Sequence, residues 1–255
     1  MTKFTEFDYA MPCWVDVMVE TDEEHQAKRA FLSALFDWTW QIGGPEMGFY
    51  SLAISQDQPV LGLGRTDGSH GEATTYFSTP NIDDSVAHAS DGGATIVVPR
   101  MDVMDLGSMA ILIDPVGATF GLWQPGTFHG FGVMHEVNAP GWFDESSDDP
   151  ERAAEFYVKW SGHKLTSPSP GDGMNVLANG DQWYASLSKV EGQPARWNPI
   201  YVVDSLERAR DIVTRHGGAI IVEEMPVPGS AICIFTEPVN GTTMMIMRGG
   251  EQPEH

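Results

Sequence analysis

Cysteine is nearly missing from this 255-residue chain, which has only Cys13 and Cys233. Each stands alone in a strand-like run without CxxC spacing, which argues against a disulfide framework or a cysteine zinc site and leaves two small buried hydrophobes. A reducing compartment fits that pattern. Basic residues are scarce too: 14 Lys and Arg face 36 Asp and Glu, a formal net charge of −22. Such a field repels nucleic acids and anionic membranes at long range. The acidic residues are spread along the chain instead of gathered in a tail, so they read as a solubilising surface. No apolar run approaches the roughly 20 residues a membrane helix needs, and MTKFTEFDYAMPCW lacks the basic start and apolar centre of a signal peptide. The expected setting is cytoplasmic, with neither nucleic acid nor membrane as partner.

What the chain does have is repetition. Trp14-Val15-Asp16 returns as Trp142-Phe143-Asp144, and AKRAFLSALF around Phe31 as RAAEFYVKW around Phe156. GGATIVVP (92 to 99) returns as GGAIIVEE (217 to 224), GSMAILI as GSAICIF, and Asp114-Pro115 as Glu237-Pro238, in the same order and at nearly constant spacing. The chain therefore divides into two domains, 1–126 and 127–255. Their seam falls in the Gly-rich QPGTFHGFG (124 to 132), which has few periodic apolar positions and reads as a linker. Each half divides again. A strand-like CWVDVMV precedes the helical DEEHQAKRAFLSALF, then WTWQI, GFYSLAIS and PVLGLG; ATTYFST precedes IDDSVAHAS, then TIVVPRMDV, SMAILI and ATFGLWQ. The order is βαβββ, four times over.

Four βαβββ units with W-x-D openings and the ending DPVGATFGLWQ resemble the vicinal oxygen chelate superfamily, which includes glyoxalase I, bleomycin resistance proteins and extradiol dioxygenases. Within it, the chain is most similar to the two-domain glyoxalase-like "hydroxylase" branch, which includes a mycobacterial antigen. The resemblance runs from about Pro12 to Arg248. It implies an α+β fold in which paired units form two open, eight-stranded curved barrels with helices outside, each enclosing a cleft. In the enzymes of the superfamily that cleft holds a divalent metal by one side chain from each of four strands.

Strand residues alternate between faces. The apolar triplet Val15, Val17 and Val19 belongs beneath the helix, which turns Trp14, Asp16 and Met18 inward; likewise Trp142, Asp144 and Ser146 face the cleft while Phe143 and Glu145 face away. Aligned with the family, the first ligand position falls on Trp142, the third on Thr74 and Asn198, and the fourth on Gly121 and Met245. The second ligand strands, PVLGLG and QWYASLSKV, offer only Asp181, just before the latter. Neither glycine nor a thioether replaces a hard oxygen ligand. Histidine does not repair the deficit: His25, His88 and His216 lie on or at the ends of helices, His70, His129, His135 and His163 in turns or the linker, and His255 at the terminus. His135-Glu136 reads as an acid/base pair or, more simply, as a surface or capping pair.

The expected lining of the first cleft is Trp14, Asp16, Met18, Thr74, Tyr76, Gly121 and Trp123; that of the second is Trp142, Asp144, Asn198, Ile200, Met245 and Met247. Aromatic walls with a few polar groups suit a small-molecule pocket, although the two tryptophans could simply fill each barrel as a solid core. Asp16 and Asp144 are the candidate catalytic residues. Buried carboxylates need partners, and these two could bind a basic or hydroxyl group or act as a general base. GLGRTDGSHG (62 to 71) reads as a surface turn, and the methionines of TTMMIMRG as gap fillers or an adaptable pocket wall. The expectation is a metal-independent binder of a hydrophobic or aromatic small molecule. The alternative is a lyase, hydroxylase or dioxygenase that recruits Fe, Mn, Zn or Ni through Asp16, Asp144 or another carboxylate. Monomer and homodimer both remain open.

Overall fold

The computed structural model describes residues 4–66, 73–167 and 175–249. The first unit is β1 (Pro12–Val19), α1 (Asp22–Phe36), β2 (Thr39–Ile42), β3 (Ser51–Ser55) and β4 (Gln58–Arg65); the second is β5 (Thr74–Ser78), α2 (Ile82–Asp91), β6 (Thr95–Val103), β7 (Gly107–Ile113) and β8 (Thr119–Pro125). The second half repeats them as β9 (Pro140–Ser147), α3 (Pro150–Ser161), β10 (Lys164–Thr166), β11 (Asn175–Asn179) and β12 (Gln182–Lys189), then β13 (Arg196–Val203), α4 (Leu206–Arg215), β14 (Ala219–Val227), β15 (Ser230–Thr236) and β16 (Thr243–Arg248). Local chemistry sets the helix ends. Thr21 and Glu24 form a capping box before α1, and Asp149 with Pro150 starts α3, which stops at Gly162 with φ 73°.

The strands make two open eight-stranded sheets, ordered β2-β3-β4-β1-β5-β8-β7-β6 and β10-β11-β12-β9-β13-β16-β15-β14. In each, the opening strands of the two units pair antiparallel at the centre, and each is flanked by a parallel neighbour from its own unit. The pairing shifts register just before each tryptophan, between Pro12 and Trp14 in one half and at Gly141 in the other. This is the α+β architecture that the family resemblance implied. Among the described residues, no helix is long and apolar enough to cross a membrane.

The two sheets and their helices share one continuous core. Helix α1 reaches across to the second half, where Phe31 packs edge-on against Phe235 and Phe36 against Tyr201. Helix α3 returns the contact: Phe156 meets Phe120 and Trp160 meets Phe77. The duplicated Asp-Pro and Glu-Pro turns belong to this junction. Asp114 accepts the backbone N–H groups of Val116, Gly117 and Ala118 within its own turn, and the Tyr157 hydroxyl from α3 at 2.9 Å. Glu237 accepts Val239, Asn240 and Thr242 N–H groups, and the Lys28 ammonium from α1 at 3.0 Å. The acid in each turn thus holds the turn's shape and ties it to the other half.

Two segments gain detail. Residues 124–132, read as a linker, are exposed at Pro125, Gly126, Thr127 and His129 and then turn inward: Phe131 is fully buried, and its backbone N–H donates to the Cys13 carbonyl at 2.8 Å. Glycine content suggested looseness, but Gly130 is there because a Cβ would fall 2.1 Å from that carbonyl, at φ 110°. The start of GLGRTDGSHG is strand and not turn, since Gly62 and Gly64 lie in β4; residues 67–71 fall outside the described residues.

Candidate functional site

The residues read as inward are neighbours in the sheet register. In the first half Trp14 lies opposite Tyr76, which pairs with Gly121, and Asp16 is flanked by Gly62 and Thr74. These side chains enclose a buried polar knot. The Trp14 indole N–H donates to Asp16 Oδ1 at 2.9 Å and reaches Tyr50 Oη at 3.0 Å, while the Tyr50 hydroxyl donates to the same carboxylate oxygen. Burial pushes the Asp16 carboxyl above its ordinary value, against the stabilising hydrogen bonds from Tyr50, Trp14 and Tyr76. Burial and the neighbouring carboxylate also push the Tyr50 phenol well up, so it stays a donor.

Tyr50 escaped the sequence reading because GFYSLAIS was read as strand throughout. The strand begins only at Ser51; Gly48 and Phe49 adopt left-handed backbone at φ 59° and 60°, and the chain delivers Tyr50 into the cleft from a turn. The cleft is closed further by the segment after β8. Phe128 packs edge-on against Trp14 at 4.8 Å and accepts the Trp123 indole N–H on its carbonyl, and Phe131 packs on Trp14 at 5.3 Å. Trp14, Tyr76 and Trp123 are consequently part of the shared core. Met18 lies beside Gly64, where a Cβ would fall 2.7 Å from its sulfur.

The second cleft has the same register but different contents. Asp144 pairs with Ser186 and Asn198, and Ile200 joins Trp142 to Met245. Ser186 and Ser188 each donate to Asp144 Oδ1 at 2.6 Å, and the Trp142 indole N–H donates to Ser186 Oγ at 3.0 Å. Burial raises the Asp144 carboxyl to about 6, with the two serines holding it down. A carboxylate of that pKa can accept a proton near neutrality. Asn198 fixes the wall by donating to Ser146 Oγ at 2.9 Å and to the Asp144 carbonyl at 3.3 Å. Beside this polar end, Ile200, Ile232 and Met245 form an apolar cluster apart from the shared core, flanked by half-buried Trp142, Ile234 and Met247. The sequence had hidden Ser186 and Ser188 because the search on that strand was for His, Asp or Glu.

These residues do not fit the metal that the superfamily's enzymes carry. The family positions present an indole, a threonine, an amide, a glycine and a thioether; each cleft has one carboxylate, already bonded to hydroxyl groups. Asp181 stands exposed in the β11–β12 turn. Among the described residues, no three His, Cys, Asp or Glu side chains gather as a metal cluster. Histidines serve the scaffold: His25 contacts the Leu63 carbonyl at 3.2 Å, His163 the Tyr184 hydroxyl at 2.9 Å, and His135 the Gly141 carbonyl at 3.0 Å. Cys13 and Cys233 are both buried free thiols. A cavity of about 40 Å³ between the halves, lined by Val17, Leu61, Trp197, Tyr201 and others, has room only for water.

No family model matches the chain. CFP32 of Mycobacterium tuberculosis, a protein named as a glyoxylase, is 26% identical over 266 residues, covering 99% of this chain and 100% of that one. The anthracycline biosynthesis protein DnrV of Streptomyces peucetius is 28% identical over 170 residues, 60% of this chain and 61% of its own length. Among solved structures, the Mn(II)-bound glyoxalase from Novosphingobium aromaticivorans superposes with a TM-score of 0.67 at 15% identity, covering 95% of this chain and 83% of that one. The 2,3-dioxygenase LapB from Pseudomonas sp. KL28 gives 0.66 at 14% identity, covering 96% and 95%.

Proposed function

We propose that this chain, a protein of the vicinal oxygen chelate fold, binds a hydrophobic or aromatic small molecule in its second cleft without a divalent metal. One observation carries the reading. The inward residues of the first half merge into the core, whereas those of the second form a separate apolar cluster around a half-buried Trp142, next to a carboxylate. An apolar wall with a few converging polar groups is what a small-molecule site requires. Trp142, Met245 and Met247 supply an aromatic and two adaptable thioether surfaces; Asp144 with Ser186 and Ser188 supplies the group that orients a ligand hydroxyl or amine. The name of DnrV, which places that protein in anthracycline biosynthesis, supports a planar polycyclic ligand.

The test uses 1,8-dihydroxyanthraquinone as probe, titrated by quenching of tryptophan fluorescence. Trp142→Ala is expected to weaken binding at least tenfold, the cost of losing a buried aromatic contact of about 1.5 to 3 kcal/mol. EDTA should leave the dissociation constant unchanged. If the ligand hydroxyl donates to ionised Asp144, affinity should fall as pH drops below about 6, and Asp144→Asn should flatten that profile. Stoichiometric Fe, Mn, Zn or Ni that leaves with EDTA together with binding would overturn the reading in favour of a metal-dependent lyase, hydroxylase or dioxygenase.

A further inference from the structure

The two clefts solve one problem with different parts. In each, an indole N–H and a buried carboxylate converge on a hydroxyl oxygen, with the indole at 3.0 Å: Tyr50 Oη in the first cleft and Ser186 Oγ in the second. The register explains the exchange. Gly62 lies beside Asp16 as Ser186 lies beside Asp144, and a Cβ built on Gly62 would fall 1.7 Å from Tyr50 Oη. The second half therefore carries its hydroxyl on a sheet strand. The first has a bare glycine there and borrows a phenol from a turn.

We propose that Tyr50 is a tethered ligand of the first cleft, and that the pocket formed by Asp16, Trp14, Gly62 and Gly64 accepts a free hydroxyaromatic molecule of the phenol class when the turn swings out. Several features of the turn suit displacement. Its base is closed by one backbone hydrogen bond, from Gly43 N–H to the Tyr50 carbonyl at 2.8 Å, its tip is a single turn of 3-10 helix (Pro45–Met47), and Phe49 is 52% exposed. Phe49 also holds a left-handed backbone that costs a residue with a side chain of order 1 kcal/mol, which is released when the turn opens. What stays behind is a buried carboxylate that keeps the Trp14 indole N–H at 2.9 Å but has lost the hydroxyl donor that Tyr50 gave it. A hydrocarbon ring fills the space without replacing that donor, so the pocket favours the hydroxyl as well as the ring. This site is separate from the second cleft and does not depend on the function proposed there.

4-Methylphenol, the tyrosine side chain as a free molecule, is the probe, with toluene as the control lacking the hydroxyl. In the wild-type chain, limited chymotrypsin digestion is expected to cut after Phe49 or Tyr50 at least fivefold faster with saturating 4-methylphenol and at an unchanged rate with toluene. Tyr50→Ala should bind 4-methylphenol at least tenfold more tightly than wild type by calorimetry, and adding Asp16→Asn should erase that gain. Tyr50→Phe keeps the ring, is the safer variant for folding, and should also bind 4-methylphenol several-fold more tightly because its tether has lost the hydroxyl. Protection of the turn by 4-methylphenol, no change in its cleavage, or equal gains for toluene and 4-methylphenol would each overturn the proposal. Repeating the digestion in Trp142→Ala separates this site from the second cleft: the effect should persist there.

Discussion

Glu145 shows what one side chain on the hidden face of a strand can do. Alternation sends it away from the cleft, as the sequence implied, and the structure places it fully buried, with Oε2 accepting from Ser147 Oγ at 3.2 Å and Oε1 without a hydrogen-bond partner. Burial, with Asp114 and then Asp144 nearby, lifts its carboxyl from 4.5 to about 9, so it is neutral at physiological pH. The raised value sets the sign of its linkage. An unfolded glutamate releases its proton near 4.5 while the folded one keeps it to about 9; stability from this group is full below 4.5, falls across that window and is lost above 9. Glu145→Gln keeps the neutral shape and removes the proton linkage. Its melting temperature should match wild type near pH 4.5 and exceed it by a margin that grows to pH 9. A gain independent of pH would mean that the buried carboxyl is not the cause. At this scale the sequence was informative about direction and silent about company: W-x-D placed Trp14, Asp16, Trp142 and Asp144 inward, but the hydroxyls they meet, on Tyr50 and Ser186, come from residues 34 to 44 positions away.

Whole strands and helices were the most legible level, because period-two alternation and capping residues are local. The order βαβββ and the shared faces of β1 and β9 follow from them, whereas the pairing of the units was implied only by the family resemblance. Turns were less legible. GFYSLAIS has strand composition throughout, and only the left-handed pair before Tyr50 ends the pattern; PVLGLG reads as strand, but the reason for its glycines was not legible: Gly62 and Gly64 leave room for Tyr50 and Met18. The contact between α1 and the β15–β16 turn was not legible, since Lys28 and Glu237 are ordinary surface residue types. They form a 3.0 Å ion pair with side chains 3% and 0% exposed. Removing one partner from a buried pair leaves an uncompensated charge and costs about 3 to 5 kcal/mol, while neutralising both is far milder. Lys28→Met should therefore destabilise the chain by about 3 kcal/mol in urea, and adding Glu237→Gln should recover at least about 1 kcal/mol of it. If the second change makes matters worse, Glu237 serves its own turn and owes little to Lys28.

At the scale of the whole molecule, the repeats suggest two bodies, while the packing makes one. Aromatic contacts cross between the halves: Phe77 meets Trp197 at 5.0 Å, Trp38 meets Tyr201 at 5.3 Å, and Phe31 meets Phe235 at 6.3 Å. A polar link crosses as well: the Tyr157 hydroxyl, which accepts the Trp197 indole N–H at 2.7 Å, donates to Asp114 in the first half. Duplication is visible in sequence because it repeats letters; the junction is not, because it joins residues that do not correspond between the repeats. The consequence concerns the proposed division at 126 and 127. A fragment of residues 1–133 keeps all eight strands of its sheet but exposes Phe31, Phe36, Phe77 and Phe120, and loses Glu237 from Lys28 and the Tyr157 hydroxyl from Asp114. Such a surface is too apolar for an isolated soluble domain. The fragment is expected to lack cooperative thermal unfolding, and mixing it with 134–255 should restore the near-ultraviolet circular dichroism of the buried tryptophans. A fragment that unfolds cooperatively by itself, with a melting temperature near that of the full chain, would show that each half carries its own core and that the shared aromatic junction adds little.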